Sequence, residues 1–227
     1  MSATVLISTE GQTEETFVRD VLAPHLATFG VTAIPVVLAT KRPASGGKFR
    51  GGVHAWPPIL REIELLLGDT HAVAVTTMLD LYALPADVPG VASTADERPY
   101  ERVAGIESAL RAALDHPRFR PYVQLHEFEA LIFAGPQLAA TRAGDPAVGQ
   151  MIESAVAASG GAEHVNEGPT TAPSKRIRSA WPGYVKTIDG PALAAAIGLA
   201  AIADSCPHFG EWLRWLESLG DDGPSDT

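Results

Sequence analysis

Apolar runs of strand length alternate along this chain with apolar residues at helical spacing. Val5 to Ser8 forms a short run that stops at Thr9-Glu10-Gly11. A run closed by a glycine and acids reads as strand, tight turn, helix. Phe17, Val18, Val21, Leu22, Leu26 and Phe29 then recur at helical spacing, with Gly30 where a glycine cap belongs. Thr13 fits the N-cap of that helix, and Glu14 and Glu15 its first turn, where the helix dipole favours acids. Glu10 precedes the helix and has no such explanation.

Val31 to Ala39 reads as a second strand, and Pro35, which lacks a ladder donor, assigns it to a sheet edge or a bulge. Lys41 to Val53 is a basic, glycine-rich loop, followed by a helix that begins at Pro57-Pro58 and closes at Gly68. Ala72 to Leu79 shows almost no polar alternation, as expected of a strand covered on both faces, and it ends at Asp80. Val103, Ile106, Leu110 and Leu114 give a third helix, ended by His116-Pro117, and Tyr122 to Leu125 a further short strand. The succession predicts a three-layer α/β fold, Rossmann-like, with a mostly parallel central sheet and right-handed crossovers.

Beyond this the chain turns helical. Helices are expected between Gln137 and Gly160 with a break near Gly144-Asp-Pro146, a Pro/Gly-rich loop from Asn166 to Tyr184, and terminal helices over Pro191 to Ile202 and His208 to Leu219. The expected division is an α/β core over 1–135, a helical region over 136–219 packed on it, and a disordered acidic tail over 220–227.

Composition narrows the class. With 227 residues, 46% hydrophobic and 19% charged, the chain has the makings of an ordered core. The single Cys206 excludes an internal disulfide and reads as a buried small hydrophobe. No basic segment precedes the first strand and no apolar run reaches membrane-spanning length, so a cytoplasmic protein without membrane contact is expected. The net charge of −10 argues against a generic basic nucleic-acid binder. Its distribution matters more: Lys41, Arg42, Lys48 and Arg50 fall in one acid-free stretch, and Lys175, Arg176 and Lys186 in another. Such islands can hold phosphates locally, and equally can be solvated loops.

The candidate chemistry lies in the carboxylates. Glu10 and Asp80 each end a strand, where open α/β sheets place their ligands. His126-Glu127-Phe128-Glu129 follows the last strand; extended, both glutamates share a face, whereas in a helix they diverge by about 200°, so a strand-to-helix junction lets only one reach a shared site. If three such acids lie within about 4 Å, each like-charge pair costs on the order of 4 kcal/mol at an effective dielectric near 20. A hard divalent cation, Mg2+ or Mn2+, removes that penalty, with Glu10, Asp80, Glu127 and Glu129 as candidate ligands. Cleavage or transfer of a phosphodiester is the natural chemistry, with Glu10 as acid/base and Lys175 or Lys186 steadying the developing charge. The plainer alternatives are acids that cap helices and turns, and a His126 that is a satisfied, partly buried side chain.

Glu10-Gly-Gln-Thr-Glu14, Met78-Leu-Asp80-Leu-Tyr82-Ala-Leu-Pro85, Gln124-Leu-His-Glu-Phe-Glu-Ala130, Pro173-Ser-Lys-Arg176 and Cys206-Pro-His-Phe209 resemble a bacterial family catalogued as a domain of unknown function, itself similar to Toprim proteins. The resemblance implies a metal-dependent nuclease fold in which Glu10 matches the Toprim glutamate and Asp80 the first aspartate of its Asp-x-Asp motif. Tyr82 stands where the second aspartate belongs, which leaves Glu127, Glu129 or, behind them, Asp87 to complete the site. It also implies antiphage defence beside an ATPase subunit, with nucleic acid as substrate; a homo-oligomer stays open. The rival expectations are a non-catalytic module that binds an ATPase or other protein, and a phosphoryl-transfer enzyme acting on a small phosphorylated molecule.

Overall fold

The computed structural model describes residues 2–38, 55–165, 168 and 171–221. Its centre is a parallel sheet of β1 (Ala3–Thr9), β2 (Val31–Val37), β3 (Ala72–Asp80) and two short strands, β4 (Phe119–Arg120) and β5 (Val123–Gln124). The order is β2-β1-β3-β4, with β5 continuing against β3 beyond β4. Pro121 lies between the two short strands, and Thr77 fills the gap: its Oγ1 donates to the Tyr122 carbonyl at 2.8 Å and accepts from the Tyr122 amide at 3.0 Å. Among the described residues β2 is an edge strand, which explains how it tolerates Pro35.

Alternation along β1 divides the interior into two layers. Val5 and Ile7 face a cluster with Phe17, Leu22, Leu26 and residues of the C-terminal helices; Leu6 faces the other, with Ile59, Ile63 and Ile106. The first helical layer contains α1 (Gln12–Phe17), running through a π-helical segment Val18–Leu22 into α2 (Ala23–Ala27). The second contains α3 (Trp56–Leu67) and α4 (Pro99–Leu114). The chain is therefore a three-layer α/β protein.

The remaining helices are α5 (Glu129–Ile132), α6 (Pro136–Ala143), α7 (Pro146–Ser159), α8 (Pro173–Ala180), α9 (Lys186–Ile197), α10 (Leu199–Ser205) and α11 (Pro207–Ser218). Phe209, Trp212 and Leu216 of α11 enter the β1-side core, and Trp212 Nε1 donates to Thr76 Oγ1 at 3.0 Å. The C-terminal helices thus share a core with the sheet.

Two expectations need correction. The loop expected over Asn166 to Tyr184 contains α8, whose apolar positions are too few to show a period. The helix expected from Pro191 begins earlier, at Lys186, with Pro191 inside it, and stops at Gly198, whose φ of +84° only glycine adopts readily. Lys41, Arg42, Lys48 and Arg50, and the tail beyond Asp221, lie outside the described residues. Among the described residues no single helix is long and apolar enough to cross a membrane.

Candidate functional site

Connections from β1 and β3 leave toward opposite edges of the sheet, so the crevice between their carboxyl ends is a topological switch point. Glu10 stands just past β1 and Asp80 is the last residue of β3. The Asp80 amide donates to Glu10 Oε2 at 3.3 Å, which sets the two acids side by side.

Three more carboxylates join them. Glu14 lies on the first turn of α1, 4% exposed, with an oxygen 3.9 Å from Lys186 Nζ. The N-cap of α1 is Gly11, not Thr13, and a Cβ at Gly11 would sit 3.4 Å from Glu14 Oε2, so the glutamate folds back toward the strand end. Glu14 therefore belongs to the site and not to a dipole-stabilised surface. Glu129 is fully buried at the start of α5, with Oε2 3.1 Å from Lys186 Nζ and Oε1 accepting from Tyr184 Oη at 3.4 Å. Glu127 accepts from the Ser174 amide at 2.5 Å and from Ser174 Oγ at 2.9 Å, at the first turn of α8.

Of the two glutamates in the His126–Glu129 segment, Glu129 is within ion-pair distance of Lys186, while Glu127 is held by Ser174 and favours protonated Lys186 only from farther away. The junction between them is neither regular strand nor regular helix. His126 has φ +62°, an uncommon left-handed value for a non-glycine residue, and its carbonyl accepts from the Tyr82 amide at 2.9 Å. His126 is also 2% exposed with Nε2 unpartnered, so it is less satisfied than expected; burial, then His164, pushes its pKa down to about 4 and keeps the ring neutral.

At the centre is the Lys186 ammonium, 3.5 Å from Asp80 Oδ2 as well as close to Glu129 and Glu14. Burial opposes its charge, but Asp80, Glu129, Glu14 and Glu127 outweigh burial and hold it firmly protonated. Its position is pinned from below: Asp189 Oδ2 accepts from the Val185 amide at 2.7 Å, and Arg142 Nε donates to Asp189 Oδ1 at 2.9 Å. Gly190 permits the close approach of α9, since a Cβ there would lie 3.0 Å from Phe128 Cε1.

Among the described residues this one ammonium faces more carboxylate charge than it can balance. Burial, then the charge of Glu14, raises Glu10 to about 7. Burial and the charges of Glu14, Glu10 and Glu129 raise Asp80 well above its ordinary range despite Lys186, and burial raises Glu129. Among the described residues Asp80 Oδ1 is buried without a hydrogen-bond partner. Among the described residues no three Asp, Glu, His or Cys side chains are already arranged as a metal cage. In kind and charge, however, the donors suit a hard divalent cation: oxygen ligands, surplus negative charge and an unused carboxylate oxygen.

The other candidates fall outside this centre. Lys175 is exposed and has no ion pair with the acids, and Arg176 Nε is tied to the Thr171 carbonyl at 2.7 Å. Asp87 accepts from the Trp56 amide at the start of α3. Tyr82 is 48% exposed beside the site. A family model described as a domain of unknown function (DUF4276) matches residues 9–217. No curated protein and no solved structure matches the chain.

Proposed function

Because the chain belongs to that family of unknown function, its activity has to be argued from the site, and we propose a Mg2+- or Mn2+-dependent nuclease of Toprim-like type. The observation that supports this is Asp80, Glu129 and Glu14 within 3.9 Å of one ammonium at the switch point, with Glu10 on the Asp80 amide, Glu127 close enough to add its charge, and Asp80 Oδ1 unpartnered among the described residues. Asp80 and Glu129 are the residues that would hold the cation, with Glu10 beside them. A bound divalent cation supplies polarisation of a phosphate oxygen and lowers the pKa of water.

The chain's own groups have separable roles. Glu10, with a pKa of about 7, can accept and return a proton at neutral pH, as a general acid/base must. Lys186 carries a permanent charge that can stabilise negative charge developing on phosphate oxygens. Glu127, fixed by two hydrogen bonds from Ser174, sets the wall of the site and ties it to α8. In this reading Lys175, exposed and outside the centre, contacts the substrate strand. By the Toprim resemblance, the biological setting we propose is antiphage defence beside an ATPase subunit.

The test is incubation of purified protein with DNA and with RNA in Mn2+ or Mg2+. Cleavage is expected, and its loss in Asp80→Asn and Glu10→Gln. Cleavage that persists in both variants would exclude this centre.

A second reading is favoured by one observation: Lys186 already lies within 3.9 Å of three carboxylates, as a resident counter-ion would. The site is then a closed structural element of a non-catalytic, partner-binding module. Calorimetric titration with Mn2+ separates the two, because only the nuclease reading expects saturable binding that Asp80→Asn abolishes.

A further inference from the structure

A second concave site lies at the other end of the sheet. From Ala74, near the start of β3, to Asp80 is six strand steps, about 20 Å at roughly 3.3 Å per residue. There the start of β3, the end of α4, β4 and the last turns of α11 enclose a groove of about 690 Å3. That lies within the roughly 300 to 1,000 Å3 typical of small-molecule sites. Its charge is opposite to that of the chain: Arg111, Arg118 and Arg120 line it against one carboxylate, Asp115, in a protein of net charge −10.

The three guanidiniums are not equivalent. Arg118 is committed to structure, donating to the carbonyls of Leu67, Asp69 and Ala72 and so holding the turn between α3 and β3. Arg111 is exposed, and Arg120 lies half-buried with its guanidinium carbon 4.8 Å from the Trp215 ring centroid. Among the described residues neither has an acid within ion-pair distance; burial, then the charge of Arg111, disfavours the charge of Arg120, and Glu107 and Glu211 oppose this from beyond that distance. Of these two acids, Glu107 is already engaged by the Val123 amide at 2.8 Å and His208 Nε2 at 3.0 Å. His116 adds a donor: its Nδ1 accepts from the Arg118 amide at 3.2 Å, which leaves Nε2 to carry the proton.

Two guanidiniums without an ion-pair partner among the described residues, in a groove of small-molecule size with a single lining carboxylate, call for an anion. We propose that this groove binds a phosphate-bearing ligand of about nucleotide size, with Arg111 and Arg120 on the phosphate and Trp215 and Leu219 forming the apolar wall. Arginine's planar fork matches phosphate oxygens in pairs, which a carboxylate-poor groove of this kind can exploit. The phosphate can come from a free nucleotide or from a nucleic-acid strand. This inference does not depend on the acidic centre or its metal.

The test is calorimetric titration of the full chain with inorganic pyrophosphate in EDTA, followed by a nucleoside diphosphate and a short single-stranded oligonucleotide. Saturable binding of one pyrophosphate is expected, weakened at least about tenfold in Arg111→Gln and in Arg120→Gln and unchanged in Arg178→Gln, an exposed arginine of α8. Tighter binding of the diphosphate identifies a free nucleotide as the source; tighter binding of the oligonucleotide identifies a strand. Arg111 is exposed, so its variant keeps the test valid even if Arg120→Gln disturbs Trp215. Absence of saturable binding, or binding that both arginine variants leave intact, would overturn the proposal.

Discussion

Glu10→Gln should make this protein more stable, and only at neutral to alkaline pH. Burial, then Glu14, raises the Glu10 carboxyl from 4.5 to about 7. The folded state therefore binds this proton more tightly than the unfolded chain. The folded state carries no penalty from Glu10 below the unfolded value of 4.5, and the penalty grows as pH rises until it levels off above 7. At about 1.4 kcal/mol per pH unit, the full effect is roughly 3 kcal/mol, most of it arising between pH 5 and pH 8. Glu10 is partly open to solvent, and screening reduces this to about 2 kcal/mol. Glutamine keeps an oxygen for the Asp80 amide, so the substitution removes the charge and spares the hydrogen bond. Thermal unfolding in EDTA should then place the variant about 4–8 °C above the parent at pH 8, and within about 2 °C at pH 5. Adding Mn2+ at pH 8 should raise the parent more than the variant, because the cation neutralises a charge that the variant lacks. An equal difference at both pH values, or a variant less stable at pH 8, would refute the electrostatic account of the site.

Two further outcomes follow from the same geometry. Lys186→Met removes the cation shared by Asp80, Glu129 and Glu14, and should destabilise the protein by about 3 kcal/mol at pH 8, as breaking a buried ion pair does; denaturant unfolding should show stability recovered toward pH 5 as the acids protonate. At the far side of the sheet, His208 loses by burial but gains more from the hydrogen bond to Glu107, so its folded pKa is raised. The stability it contributes is full below about 6.5 and is lost as pH rises through the raised folded value; Glu107→Gln, which keeps an acceptor for the Val123 amide, should lower the His208 titration midpoint seen by NMR and flatten that part of the stability profile.

What could be read from the sequence and what could not divide along one physical line. Glu10 and Asp80 were legible because an apolar strand that stops at an acid is a local pattern, and the parallel order of β1 and β3 follows from the alternation of elements. Glu14 was not, because a first-turn acid already has a local explanation in the helix dipole; only the folding back of that turn over Gly11 shows the explanation to be insufficient. The divergence rule applied to Glu127 and Glu129 assumed regular geometry, and the left-handed backbone at His126 removes that assumption. α8 was missed because Ile177 is its only large aliphatic buried residue, too little to make a period, yet its Ser174 holds Glu127. Lys186 was visible as a basic residue, but its role depends on how α9 packs against α1 and α5, held by Asp189, Arg142 and Gly190. Acids at strand ends are thus encoded locally, whereas the cation that balances them is supplied by tertiary packing. That separation explains why the same residues support both readings of the site: the five carboxylates call for positive charge, and the experiment that matters is whether Mn2+ can compete with Lys186 for Asp80 and Glu129.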